Sequence, residues 1–154
     1  MLNSKRIPAN CAFTTQHSTP ELAQTTGAPA TAGMGILNGG LQVVNPTRAI
    51  YDIITSQLAT STTSEYDFAD QSLLSDVFHG RWVPLPYIYN ALKTLRWEGV
   101  HDCIWQDNCV KNMHYILSPK PWEENESQDP THAWWWELNE KRLQEEKDRG
   151  IRQC

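Results

Sequence analysis

Pro119 and Pro121 flank Lys120 and rule out a helix through it. Each proline locks its own φ, lacks an N–H and restricts the residue before it. Six residues upstream, His114 sits near the end of an apolar run, residues 110–117, that reads as a strand. The spacing therefore predicts an imidazole and an ammonium on either side of a stiffened Ser-Pro turn. An imidazole binds divalent cations, and an ammonium is a compact charge suited to phosphate oxygens. Without its surroundings the same stretch also reads as a buried histidine closing a strand beside a solvent lysine.

The rest of the chain limits what such a turn could serve. At 154 residues there is room for one domain at most. Hydrophobic content of 40% with seven tryptophans is that of a globular chain. A net charge of -5 without a Lys/Arg cluster argues against a nucleic-acid surface. No apolar run approaches the roughly 20 residues of a membrane span. The basic pair Lys5-Arg6 has no apolar stretch after it, so no secretory signal is expected. The four cysteines are then expected to be reduced, in a cytoplasmic setting. His101, Cys103, Cys109 and His114 have the composition of a zinc ligand set. Their spacing fits no common finger, and the cysteines have the apolar neighbours of structural thiols.

Residues 1–33 are polar and turn-rich, apart from a short helix expected from Pro20 to about Thr25. Residues 34–44 read as a buried strand whose glycines allow close backbone approach. Gly33-x-Gly35 precedes that strand, which argues against a dinucleotide fingerprint. Residues 47–58 and 70–78 carry apolar positions at helical spacing and read as amphipathic helices, with residues 60–64 a polar loop between them. Asp67 and Asp70 fall at the edge of the second helix, where unpaired N–H groups favour carboxylates. Residues 82–89 are apolar but broken by prolines, suggesting a loop and then an edge strand. After Trp122 an acidic linker, residues 123–129, leads into a helix over 131–149. Glu137/Lys141 and Glu145/Arg149 stand at i,i+4 on it, and Gly150 is a plausible terminator. Trp134, Trp135 and Trp136 cannot all face one way, so at least one must pack on the body.

Four blocks occur in a particular order: Asn38-Gly-Gly, Asp67-Phe-Ala-Asp70-Gln71, Tyr87-Ile-Tyr-Asn90, and the stretch from His114 to Trp122. In that order they resemble the C-terminal half of family 8 glycosyltransferases, the glycogenin and galactinol synthase group. The resemblance covers roughly residues 33–122. It implies an α/β fold, the C-terminal portion of a nucleotide-sugar transferase of the A type (residues 1–122), with a Trp-rich helical tail (residues 123–154). The implied activity is transfer of a hexose from a UDP-sugar to a hydroxyl acceptor (a polyol, a sugar or a protein) with retained configuration. The implied cofactor is Mn²⁺ or Mg²⁺. No nucleic acid or membrane partner is expected, and there is room for a homodimer.

By the same resemblance, His114 is a metal ligand and Lys120 a phosphate-binding lysine. Asp70 and Gln71 lie beside the anomeric centre, in catalytic positions. Asn38, Gly39, Gly40, Asp67 and Asn90 are donor or acceptor contacts. The family carries a glycine at the place of Leu117, where a backbone N–H meets phosphate. No Asp-x-Asp occurs in this chain, and a lone histidine is a poor cage for a hard cation. The expectation is thus a truncated transferase with little activity alone. A second reading is a non-catalytic module that docks a glycan or protein through its tail.

Overall fold

A computed structural model describes residues 10–123 and 127–151. Three α-helices, one two-stranded sheet and several short 3-10 turns make up the described chain. The arrangement is a mixed one, compatible with a piece of an α/β fold.

Strand β1 (Ala91–Leu92) pairs in parallel with β2 (Met113–His114), placing Ala91 opposite Met113 and Leu92 opposite His114. The pairing extends one residue upstream through Ala91 N–H to the Asn112 carbonyl at 2.9 Å. The core gathers on this sheet: Ala23, Tyr87, Ile88, Ala91, Leu95 and Ile104 are buried together, with Phe13, Trp105 and Met113 packed against them. Tyr87 is 2% exposed, and its hydroxyl accepts from the Gln106 N–H at 2.8 Å. A buried phenol needs such a partner to offset the loss of water.

Helix α1 (Arg48–Leu58) starts where Thr47 caps it, the side chain accepting from the Ile50 N–H at 3.2 Å. Helix α2 (Ala69–Val77) carries Asp70 in its first turn. Tyr66 links the two: its hydroxyl donates to Asp76 at 2.7 Å and accepts from Gln57 at 3.1 Å. Helix α3 (Pro130–Asp148) begins at Asp129, whose carboxylate accepts from the Thr131 N–H at 3.0 Å, with proline at the first helical position.

Several expectations from the sequence are corrected. Residues 34–44 form no strand; Val43 is 84% exposed and Val44 66%. Two of their backbone donors go to side chains of α2 instead. Leu37 N–H bonds Ser75 Oγ at 3.0 Å, and Gly39 N–H bonds Gln71 Oε1 at 3.1 Å. Gln71 and Ser75 are four apart and so share a helix face. The strand expected over 110–117 shrinks to β2, because its partner offers only two residues. The helix expected from Pro20 is a 3-10 turn, Pro20–Leu22, with no side-chain cap. A longer one, Ala12–Ser18, precedes it. Residues 60–64 are not a plain loop; Ser61–Glu65 is a 3-10 turn. Part of the acidic linker and both chain ends lie outside the described residues. Among the described residues no helix is long and apolar enough to cross a membrane.

Candidate functional site

Strand geometry brings the first two groups together. Alternation puts Asn90, just before β1, and His114, at the end of β2, on one face of the parallel pair. They are diagonal neighbours, and their side chains meet: His114 Nδ1 lies 3.0 Å from Asn90 Oδ1. The turn at Gly39 and Gly40 closes over them. A Cβ on Gly40 would fall 2.6 Å from His114 Nδ1 and 2.8 Å from Asn90 Oδ1. A Cβ on Gly39 would fall 3.2 Å from Asp70 Oδ2 and 3.2 Å from Gln71 Cγ. The absence of side chains at these two positions is what lets the four groups approach.

The hydrogen bonds here have one consistent direction. Gly40 N–H can only donate, and it donates to Asn38 Oδ1 at 2.9 Å. That oxygen also accepts from Asn90 Nδ2 at 2.8 Å. The Asn90 amide is thereby oriented with Oδ1 toward His114, so His114 must donate from Nδ1. The remaining lone pair of the imidazole is then on Nε2. Burial, and secondarily the charge of Lys120, push the His114 pKa below its ordinary value. The ring is therefore neutral at neutral pH, the form that binds metals.

Six of the sequence candidates (Asn38, Gly39, Gly40, Gln71, Asn90 and His114) thus meet in one cluster, with the Asp70 carboxylate at its edge. Three others stand differently. Asp67 is exposed and is not among the nearest groups to either glycine. Lys120 Nζ turns back to donate to the Tyr115 carbonyl, while its charge still bears on His114. Leu117 is 43% exposed at φ +62°, a left-handed conformation that costs a non-glycine residue about 1–2 kcal/mol. The backbone thus has a glycine's shape at this position without the glycine.

Two contributors escaped the sequence reading. Ser75 holds the 37–39 segment, and its i,i+4 relation to Gln71 was the available signal. Lys93, 2% exposed, donates to the Pro119 carbonyl at 2.6 Å and lies 4.0 Å from Asp129 Oδ2. Nothing in the sequence marked it as buried. With Tyr115, whose hydroxyl donates to the Thr131 carbonyl at 2.8 Å, it ties the Lys120 loop to α3. Burial and the nearby Asp129 push the Tyr115 pKa up to about 12. The tail tryptophans join the same contact. Trp136 Nε1 donates to the Pro121 carbonyl at 2.8 Å, and Trp135 lies 6.0 Å from the Trp122 ring.

Among the described residues no group of three or more His, Cys, Asp or Glu side chains could hold a metal ion. His114 fits as one ligand and not as a complete cage. The zinc set considered above does not assemble. His101 bonds Cys11 and His17, Cys109 Sγ donates to Gln106 at 3.3 Å, and His114 bonds Asn90. Surface hollows lined by Lys93, Trp97, Asp129 and Pro130 lie apart from the glycine cluster, in which Asn38, Gly40 and Asp70 are exposed.

Three curated proteins match this chain in sequence. Glycosyltransferase GlyA of Streptococcus pneumoniae is 26% identical over 113 residues, 71% of this chain and 16% of its own length. Probable glycosyl transferase Gly of Streptococcus gordonii is 29% identical over 112 residues, 68% of this chain and 16% of its length. Galactinol synthase 1 of Solanum lycopersicum is 32% identical over 88 residues, 56% of this chain and 26% of its length. The chain thus spans about one sixth of the streptococcal relatives and about a quarter of the plant one. No family model matches, and no solved structure matches. By these relatives the chain is related to glycosyltransferases. More narrowly, these low-identity matches support a resemblance to the family 8 glycosyltransferases.

Proposed function

We propose that the glycine cluster is the donor-sugar side of a hexosyltransferase site of the A-type fold, acting on a UDP-sugar with retention. The observation that carries this reading is the convergence of Asn38, Gln71, Asn90 and His114 on a bare glycine pair, with Asp70 at its edge. Amides and a carboxylate around an open backbone suit a ligand rich in hydroxyls. Gly39 and Gly40 leave room for it, and Asn38 and Asn90 offer amide groups at its rim. Asp70 stands where a carboxylate would favour positive charge developing at an anomeric carbon.

In this reading His114 Nε2 contributes one ligand to Mn²⁺ or Mg²⁺, with the other ligands supplied from outside the described residues. The cation would neutralise the leaving pyrophosphate. Lys120 would leave the Tyr115 carbonyl for a phosphate oxygen, a trade of one hydrogen bond for a charge-assisted one. A hard cation prefers several oxygen ligands, so the 154-residue chain alone would turn over little.

Calorimetric titration with UDP-glucose and UDP-galactose in Mn²⁺, paired with a UDP-release assay, tests the reading. Saturable, Mn²⁺-dependent binding that Gly40→Ala abolishes, with scant UDP release, is expected. Absence of binding would overturn the site. Robust UDP release would keep the site but overturn the low activity proposed for this chain.

A further inference from the structure

A second chemical constellation lies apart from the sugar-site candidates, at the N-terminal end of the described chain. Cys11 Sγ is 3.3 Å from His101 Nε2, and His101 Nδ1 is 2.7 Å from His17 Nε2. His101 is 4% exposed, yet both of its flanking partners reach solvent: Cys11 is half-buried and His17 is exposed. The 3-10 turn Ala12–Ser18 explains the spacing. Three residues per turn align positions i, i+3 and i+6, so Cys11 and His17 project from one side and His101 fits between them. Phe13, 6.0 Å from the His101 ring and edge-on to it, closes the apolar flank.

We propose that Cys11, His101 and His17 form a reactive-thiol site that exchanges with low-molecular-weight disulfides. A thiol beside an imidazole, itself oriented by a third group, is the arrangement of an activated nucleophile. In the resting state the Cys11 S–H donates to His101 Nε2, and His101 Nδ1–H donates to His17 Nε2. On reaction His101 takes the thiol proton on Nε2, while its Nδ1–H stays directed at His17 Nε2. The Cys11 sulfur attacks one sulfur of the disulfide. A Cys11–S–S–R bond forms, the R–S–S–R bond breaks, and the leaving thiolate receives the proton from His101 as R–SH. No other oxidant is needed. Burial and the adjacent His17 hold the His101 pKa below its ordinary value, against the opposing charge of Asp102, so the base is neutral at neutral pH. His17 is a positioning residue, since it acts through His101.

Cys103 is an internal control, being more exposed than Cys11 but outside this cluster. Exposure alone would make it the faster thiol. The test is glutathionylation of the reduced full chain by oxidised glutathione, read by peptide mass mapping. At pH 7 Cys11 is expected to react at least tenfold faster than Cys103. Lowering the pH from 7 should widen the ratio of the Cys11 rate to the Cys103 rate. His101→Gln should reduce the Cys11 rate at least tenfold and leave Cys103 unchanged. Because His101 is buried, the exposed His17→Gln provides a second variant. It should slow Cys11 severalfold and alter its pH profile, with the circular dichroism spectrum retained. Equal rates at Cys11 and Cys103 in the wild type would overturn the proposal. So would a Cys11 rate indifferent to His17→Gln.

Discussion

Two apolar segments of this chain end in opposite states. Along residues 87–95, Tyr87, Ile88 and Leu95 are 2%, 7% and 3% exposed. Along residues 41–58, Val43, Val44, Ile53 and Leu58 are 84%, 66%, 47% and 53% exposed. Hydrophobic character does not separate them. What does is a second surface: the first segment meets β2 and Ile104, whereas the second meets chiefly α2, which is itself short. Burial follows from pattern plus partner, and only the pattern is written locally. The candidate site lies where the two regimes touch. A loosely packed glycine turn from the first third of the chain rests on a well-packed parallel strand pair.

The sharpest way to break this contrast is to truncate one side chain from each segment. Tyr87→Ala removes a buried ring and leaves the Gln106 N–H without its acceptor. It should cost about 3–5 kcal/mol, as large aromatic truncations do. Val43→Ala should change stability by about 0.5 kcal/mol or less. Urea unfolding of the two variants reads both numbers. Similar losses would show that the exposed segment is stabilised in a way the structure does not contain.

Gly40→Ala probes the contact between the regimes. Its Cβ cannot coexist with the His114 ring and the Asn90 amide, so one of them must move. A stability loss of about 1–3 kcal/mol is expected, with shifted His114 ring resonances by NMR. An unperturbed His114 would mean that the turn does not rest on the strand pair.

Leu117→Gly should act in the opposite direction. It relieves the left-handed leucine, and the gain is partly offset by the greater chain entropy of glycine when unfolded. A net rise of up to about 1 kcal/mol is expected in thermal or urea unfolding. A loss would show that the exposed leucine is held by packing.

The smallest effect concerns protons. The His114 and His101 pKa values lie below the ordinary 6.5 in the folded chain. The unfolded chain therefore binds more protons below that pH. The associated stability is intact above pH 6.5 and is lost as pH falls through it toward the folded values. Melting temperature should decline in that window. Lys120→Met removes the secondary cause of the His114 shift and should raise that pKa, observable by NMR titration of the ring.

These contrasts also explain what the sequence revealed. The apolar positions of α1 and α2 announced both helices, because a period of 3.6 is a local property. The i,i+4 pair Glu137/Lys141 made α3 legible for the same reason, with its start at Pro130 one residue ahead of the expected one. The turn over 34–44 was misread as a strand because its backbone partners, Gln71 and Ser75, are more than thirty residues away. The candidate site was legible through its ordered blocks, which brought out Asn38, Asn90 and His114. The Asn38–Asn90 relay needed coordinates, since only the direction of the Gly40 N–H orients the amides. Lys93 was hidden because a lysine ordinarily faces water.

In the proposed site His114 presents Nε2 to a cation held with a nucleotide sugar at the glycine pair. NMR of the histidine rings during substoichiometric Mn²⁺ addition, with UDP-galactose or UDP-glucose present, tests it most directly. The account predicts an Nδ1-protonated His114 whose ring signals broaden first, with amide shifts at Gly39 and Gly40. A His114 protonated on Nε2, or one that stays sharp while His17 and His101 broaden, would contradict it.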